Sequence, residues 1–133
     1  MLTLGQKFQL IKTFSEDEVL FFSKLSKDAN PIHFDEEYAA DSIFKQRIVQ
    51  GPFVMSLIGG VLGSNLPGPG TIYLSQSTRF LKPVHIGDTI YVNVEVVKVR
   101  IDKPIVTLRT WVEKNDNQLV IEGEAIVMFL QKD

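Results

Sequence analysis

The chain has 133 residues, with 14 Lys and Arg against 16 Asp and Glu, and no cysteine. This length is typical of one domain, so we expect residues 1–133 to share a single core. A formal net charge of -2 argues against a nucleic-acid binder, which needs a basic surface to displace counterions from phosphates. The absence of cysteine excludes disulfides, thiolate zinc sites, iron–sulfur clusters and cysteine nucleophiles, and it suits a reducing cytoplasm.

The N-terminal segment and the most apolar segment both argue against export or membrane insertion. The first seven residues lack the basic start and the long apolar stretch of a secretory signal. The most apolar window, from Ile48 to Leu66, contains Gln50, Pro52, two serines and several glycines. A membrane-spanning helix needs about 20 predominantly apolar residues, so we expect a buried helix here and no membrane partner.

The first half of the chain has the pattern of short helices. Ser15 and Glu18 have the spacing of a capping box, which predicts a helix from Ser15 to about Asp28. Pro31 disfavours helical backbone at the residue before it, so a turn or an extended loop is predicted next. Three acidic residues at 35–37 then predict a short second helix over residues 35–40, because they complement the positive end of a helix dipole.

A third helix is predicted from Pro52 to Leu62, with the proline at its first position. Apolar residues cover every side of this segment, which predicts a helix that is buried all round. Three glycines, Gly59, Gly60 and Gly63, lower its helix propensity. We therefore expect these glycines to permit the close approach of another backbone segment.

After Gly70 the hydrophobic pattern changes to a period of two, which predicts strands over residues 71–82, 90–96, 105–113 and 119–130. A turn is predicted at 115–117, and a further short strand near residues 8–11. The chain is therefore predicted to be α+β, with about five antiparallel strands. The simplest packing curls this sheet around the long apolar helix and buries the helix lengthwise.

The strongest chemical signal is a cluster of three polar residues, Asp28, Asn30 and His33, on either side of Pro31. A spacing of five does not place Asp28 and His33 on one face of a helix, but a turn bounded by proline can bring them together. A carboxylate beside an imidazole supplies a base and a second proton-handling group. From spacing alone, a solvated helix end and a surface histidine remain the alternative.

Gly51, just before the third helix, is the second candidate. A glycine amide at a helix start can bind an anionic oxygen, because the dipole favours negative charge and no side chain obstructs the approach. A plain turn into the helix remains the alternative. Together the two clusters supply what enolate-forming chemistry needs. The remaining histidine, His85, lies in a loop between strands, and we expect it at the surface rather than in a metal site.

The chain resembles the (R)-specific enoyl-CoA hydratases of the MaoC-like dehydratase family from about Gly5 to Phe129. The family's motif Asp-x-Asn-Pro-x-His stands intact at 28–33, and the stretches 66–76 and 80–84 are also similar. One segment departs from the pattern. Relatives commonly have His-Gly followed by methionine or another apolar residue, whereas this chain has Gln50-Gly51-Pro52.

The resemblance implies a hot dog fold, in which a curled antiparallel sheet surrounds one long helix, and a homodimer whose sheets pair edge to edge. It also implies that Asp28 and His33 hold and activate a water molecule, and that the Gly51 amide binds the thioester oxygen. Asn30 is expected to fix the turn through hydrogen bonds to the backbone. No metal or redox cofactor is expected, because the thioester itself delocalises the charge.

The activity implied is hydration of trans-2-enoyl-CoA to (R)-3-hydroxyacyl-CoA. The nearest alternative is the reverse chemistry, a 3-hydroxyacyl dehydratase acting on acyl-carrier protein in fatty-acid synthesis. A non-catalytic module that binds acyl thioesters is a third possibility, which the presence of Asp28, His33 and Gly51 together disfavours. A thioesterase on the same fold is disfavoured by the intact Asp/His motif.

Overall fold

The computed structural model describes residues 1–130, and the last three residues of the predicted domain lie outside the described part. Three helices and five strands are present, in the chain order β1 (Lys7–Thr13), α1 (Glu16–Ser26), α2 (Glu36–Ala40), α3 (Gly51–Ser64), β2 (Ile72–Phe80), β3 (Thr89–Val99), β4 (Ile105–Lys114) and β5 (Gln118–Met128). The predicted α+β class and the predicted order of elements are confirmed. Among the helices of residues 1–130, none is long and apolar enough to cross a membrane.

All five strands form one antiparallel sheet in the order β1-β3-β4-β5-β2. The strands β1 and β2 therefore lie at its two edges. Helix α3 packs against β3 and β2, which the sheet order places well apart, so the sheet must curl around the helix. This is the hot dog arrangement that the resemblance predicted.

The core lies between α3 and the concave face of the sheet. The alternation predicted for β3 is confirmed, because Ile90, Val92, Val94 and Val96 are all fully buried. They face an apolar stripe on α3 formed by Val54, Ile58, Val61 and Leu62. Burying one such side chain stabilises a fold by about 1.5–3 kcal/mol, so the eight side chains of this contact contribute strongly to stability.

The prediction that α3 is buried all round is wrong for the single chain. Pro52, Ser56 and Gly60 are exposed, because the sheet covers only the face of the helix that carries the apolar stripe. The expected close backbone approach is also wrong. A Cβ atom at Gly59 would meet the Tyr73 ring rather than backbone, and at Gly60 it would meet nothing within 4 Å among the described residues.

Close backbone approach occurs instead at Gly123 in β5. A Cβ atom there would lie 1.9 Å from the carbonyl oxygen of Ser77 on the neighbouring strand β2. No side chain can be placed at that distance, so glycine is required where these two strands meet.

Helix α1 begins as predicted but ends earlier. The Ser15 side chain accepts a hydrogen bond from the Glu18 amide, and the Glu18 side chain accepts one from the Ser15 amide. A hydrogen bond from Lys12, with help from the Ser15 amide, holds the pKa of Glu18 below its usual range. The helix ends at Ser26 rather than near Asp28, because Lys27 adopts a left-handed conformation with φ of 66°. Asp28 is therefore outside the helix.

Two smaller differences concern α3 and β5. Pro52 occupies the second helical position rather than the first, which is tolerated because the first four amides of a helix have no intrahelical partner. In β5 the predicted alternation breaks at Val120. Ile121 pairs with Val112 and Leu119 with Glu113, so Val120 is the extra residue of a β-bulge and is buried.

Candidate active site

The segment between α1 and α2 forms a short 3-10 turn, Pro31–His33, as the proline predicted. Asn30 precedes the turn, and its Oδ1 accepts a hydrogen bond from the Ile32 amide at 3.2 Å. The Asn30 amide in turn donates to Oδ1 of Asp28 at 3.0 Å. The side chain of Asn30 thus binds the backbone of Ile32, and the backbone amide of Asn30 binds the Asp28 carboxylate.

This turn brings Asp28 and His33 together. The distance from Nε2 of His33 to Oδ2 of Asp28 is 3.5 Å. The imidazole is buried, with 7% of the side chain exposed, whereas the carboxylate is 37% exposed. The structure therefore has a buried histidine beside a partly exposed carboxylate. It does not have the surface histidine that was the alternative from spacing alone.

The orientation of His33 is fixed by its other ring nitrogen. Nδ1 lies 2.7 Å from the carbonyl oxygen of Ile48, in the segment that leads into α3. A carbonyl only accepts hydrogen bonds, so Nδ1 carries the proton. In the neutral ring, Nε2 therefore presents a lone pair toward Asp28 and can accept a hydrogen bond.

Asp28 is held through its backbone as well as its side chain. The hydroxyl of Ser23 in α1 donates a hydrogen bond to the Asp28 carbonyl oxygen. Because Ser23 lies one turn before the end of α1, this contact fastens the segment 28–33 to the helix. The backbone amide of Asn30 thus holds the Asp28 carboxylate, and α1 holds the Asp28 backbone.

Gly51 is the first residue of α3, a position where an amide has no acceptor within the helix. Its φ angle is not in the left-handed region, so backbone conformation does not require glycine here. A Cβ atom would lie 2.9 Å from a ring carbon of the exposed Phe80 side chain, so a larger residue here would require that ring to shift. The amide is thus at a helix N-terminus, where the dipole favours negative charge.

A cavity of about 280 Å³ lies beside Gly51. Its walls are mainly apolar and include Phe44, Ile48, Val54, Phe80 and Ile121. Asp28 and His33 do not line this cavity, but Ile48 joins the two parts of the site, since its side chain reaches the cavity and its carbonyl binds His33. The small apolar cavity and the carboxylate–imidazole pair are thus connected through Ile48.

Sequence reasoning missed three residues of this site: Ser23, Ile48 and Phe80. Ile48 acts through its backbone carbonyl, which cannot be inferred from the residue type. Phe80 lies on an edge strand that is distant from Gly51 in sequence. His85 is half-buried rather than at the surface, with Nδ1 3.6 Å from Asp88. Within residues 1–130, no group of three or more histidine, aspartate or glutamate side chains is arranged to hold a metal ion.

The arrangement can bind a water molecule in one orientation. Nε2 of His33 and Oδ2 of Asp28 both accept hydrogen bonds, so a water between them directs both its hydrogens at these atoms. Its oxygen lone pairs then point away from the pair, where they are free to attack an electrophile.

Residues 3–118 match the family described as MaoC like domain. An (R)-specific enoyl-CoA hydratase of Aeromonas caviae is 46% identical over 126 residues, which are 95% of this chain and 94% of that protein. A mitochondrial 3-hydroxyacyl-[acyl-carrier-protein] dehydratase of Solanum lycopersicum is 42% identical, over 96% of this chain and 78% of that protein.

The fold is similar to that of a solved (R)-hydratase from A. caviae, with a TM-score of 0.95 and 45% identity, covering 97% of this chain and 98% of that one. The family match extends over most of the chain, and the similarity to both relatives includes the turn and the start of α3. The chain belongs to the MaoC-like dehydratase family.

Proposed function

We propose that this protein is a hydro-lyase that adds water to the 2,3 double bond of a trans-2-enoyl-CoA and forms the (R)-3-hydroxyacyl-CoA. The observation that carries the proposal is the Asp28–His33 pair, with its 3.5 Å separation and a histidine whose Nδ1 is fixed by the Ile48 carbonyl. Similarity to the A. caviae hydratase over nearly the whole of both chains supports it.

In the proposed reaction, Asp28 is the base and His33 orients and polarises the water. The water oxygen attacks C3 of the enoyl thioester while one of its protons passes to the Asp28 carboxylate. The π electrons move from C2–C3 onto the thioester carbonyl, which becomes an enolate oxygen. The proton held by Asp28 then returns to C2 as the carbonyl reforms, so one hydrogen and one hydroxyl have been added.

The Gly51 amide is proposed to stabilise the enolate oxygen. An oxyanion donor acts most strongly where it is fixed in advance, and the first amide of a 14-residue helix meets that condition. The apolar cavity beside Gly51 gives an acyl chain a place to lie when the carbonyl is bound there. Asn30 is assigned to the turn, where its side chain binds the Ile32 amide and its backbone amide holds the Asp28 carboxylate.

The second candidate is dehydration of 3-hydroxyacyl groups on acyl-carrier protein. Asp28, His33 and Gly51 would catalyse the reverse reaction in the same way. The similarity to the S. lycopersicum dehydratase supports this second candidate. A module that only binds acyl thioesters is disfavoured, because such a module has no use for a buried imidazole paired with a carboxylate. We further propose that the chain acts as one domain in the cytoplasm, since a chain without cysteine suits a reducing compartment.

The experiment that tests the activity compares two carriers. The protein is incubated with crotonyl-CoA and, separately, with crotonyl-acyl-carrier protein, and the loss of enoyl absorbance is followed. Faster turnover of crotonyl-CoA is expected. Faster turnover of the carrier-protein thioester would favour the second candidate, and binding of both without absorbance loss would favour the module.

Asp28→Asn is expected to retain the fold and to lower kcat on crotonyl-CoA by about 100-fold or more, because an amide keeps the shape of the side chain but is not a useful base. Asp41→Asn, at an exposed aspartate after α2, is the matched control and is expected to keep normal turnover. Near-normal turnover of Asp28→Asn with an unchanged melting profile would show that Asp28 is not the base.

His33→Ala is expected to reduce kcat by a similar factor of about 100, because the water then loses one of its two acceptors and the other must orient it alone. Circular dichroism and thermal unfolding check that the variant keeps the fold of the parent. A loss of less than about threefold in a folded variant would mean that His33 only fills space beneath the turn.

Gly51→Val is expected to reduce kcat by roughly two orders of magnitude, the size of effect seen when an oxyanion donor is displaced. The added side chain meets the Phe80 ring and obstructs the approach of the thioester. Kinetics on crotonyl-CoA are compared with thermal unfolding of the variant and the parent.

A second variant separates the two causes of this loss. Gly51→Val combined with Phe80→Ala removes the ring that the valine meets, so the local packing recovers while the carbonyl approach stays blocked. If turnover returned to the parent level in this double variant, the oxyanion donor would have to lie elsewhere.

We also propose that the protein is a homodimer joined through β2. This edge strand and the residue after it expose Ile72, Tyr73, Leu74, Phe80 and Leu81, each by more than 40%. An unpaired edge with a row of apolar side chains is an association site, and a second copy of the same edge would satisfy its backbone groups. The opposite edge, β1, presents one large apolar side chain as prominently, that of Ile11.

Leu74→Lys is expected to convert a dimer into a monomer, because a lysine on an edge strand blocks strand pairing. Light scattering at micromolar concentration should give twice the chain mass of 15.0 kDa for the parent and the single mass for this variant. Ile11→Lys, the same change on β1, is the control and should remain dimeric. A monomeric parent, or dissociation by Ile11→Lys alone, would contradict the proposed interface.

A further inference from the structure

Gln50 is a buried polar side chain that the proposed reaction does not use. It lies immediately before α3, and only 1% of the residue is exposed. Its Nε2 donates a hydrogen bond to the carbonyl oxygen of Val19 at 2.9 Å. Its Oε1 is buried and has no hydrogen-bond partner among the described residues. A buried oxygen without a partner destabilises a fold, so this carboxamide carries an energetic cost.

The hydrogen bond from Gln50 connects it, through α1, to Asp28. The carbonyl of Val19 faces the amide of Ser23, because an α-helix places residues four apart on one face. Ser23 is the residue whose hydroxyl binds the Asp28 carbonyl. Gln50 therefore fastens the start of α3 to the same part of α1 that holds Asp28.

A second contact connects α1 with the start of α3. The rings of Phe22 and Phe53 are stacked, with centroids 4.8 Å apart and planes 2° from parallel. This contact holds the two helices together, but parallel rings can slide past each other, so stacking does not fix the relative position of the helices. The hydrogen bond from Gln50 supplies a direction and a length, which stacking alone does not.

The opposite side of the site is tied to the same segment. Ile48, two residues before Gln50, accepts the hydrogen bond from His33. The contacts therefore form a closed loop that runs from Asp28 to Ser23, along α1 to Val19, across to Gln50, back to Ile48, and through His33 to Asp28. Gly51, next to Gln50, is carried on this loop.

We propose that Gln50 is a positioning residue for the hydration reaction, and that its carboxamide sets the distance between the Asp28–His33 pair and the Gly51 amide. The inference rests on the proposed function. Gln50 touches no reacting atom and acts through α1 and the start of α3. Its effect should therefore appear in kcat, which depends on the placement of water against the bound thioester, and much less in KM.

The test uses Gln50→Met, which keeps the length of the side chain and removes both the donor and the unpartnered oxygen. kcat on crotonyl-CoA is expected to fall by about 10- to 100-fold, the order expected for a misplacement near 1 Å, with KM changed less than about threefold. The melting temperature is expected to be unchanged or higher, since no buried oxygen is left unsatisfied. Gln50→His, which can donate from a ring nitrogen, should recover part of the lost kcat.

A double-mutant cycle tests the route of the effect. Ser23→Ala removes the link from α1 to Asp28, and after that change Gln50→Met should cost much less than it does alone. The matched control is Asn93→Leu, which removes a buried carboxamide from β3 that bonds Gln9, and its kcat is expected to be normal. Additive losses in the cycle would overturn the proposed route.

The parent is measured first. A parent that hydrates no enoyl thioester would overturn the proposed function, and this inference with it. An active parent with a folded Gln50→Met variant whose kcat is within twofold of normal would overturn only the inference. If Gln50→Met does not fold, Gln50→Leu takes its place, and failure of both to fold while Asn93→Leu folds would assign Gln50 to stability alone.

Discussion

Burial of one face of α3 against a curled sheet is the contact on which the rest of the molecule depends. The buried stripe of the helix requires a concave apolar surface, and β3 supplies it with four fully buried aliphatic side chains. Once α3 lies in this concavity, its N-terminus has one position relative to the sheet. Gly51 and the segment before it are placed by that packing, and the turn at 28–33 is placed by its contacts with the segment and with α1.

The site is therefore built from local conformation and from cross-links between segments distant in sequence. Asn30, Pro31 and the capping hydrogen bond make the turn from neighbouring residues alone. The bond from His33 to Ile48 spans 15 residues, and the bond from Gln50 to Val19 spans 31. The turn made by neighbouring residues sets the distance between the Asp28 carboxylate and the His33 imidazole. The hydrogen bond to Ile48 sets the orientation of the imidazole.

This division explains how much could be predicted from sequence. The capping box at Ser15, the proline turn and the alternation in β3 depend on neighbours along the chain, and these predictions were confirmed. The end of α1 was misplaced because Lys27, a residue with no marked preference for it, takes the left-handed conformation. The exposed side of α3 was misjudged because apolar composition does not reveal how far a sheet extends around a helix. The roles of Asp28, His33, Asn30 and Gly51 remain predictions.

The near-contact of backbones at Gly123 bears on the precision of the Gly51 site. Within one chain, residues 1–130 give β2 a single neighbouring strand, β5, to keep it from sliding. A slip by one residue would bring a side chain of β5 into the place where only glycine fits, and would turn every side chain of β2 to the opposite face. Gly123 thus fixes the register between β2 and β5. Phe80, at the far end of β2, keeps its position over Gly51 because of a residue pairing at Thr78, two positions earlier along the strand.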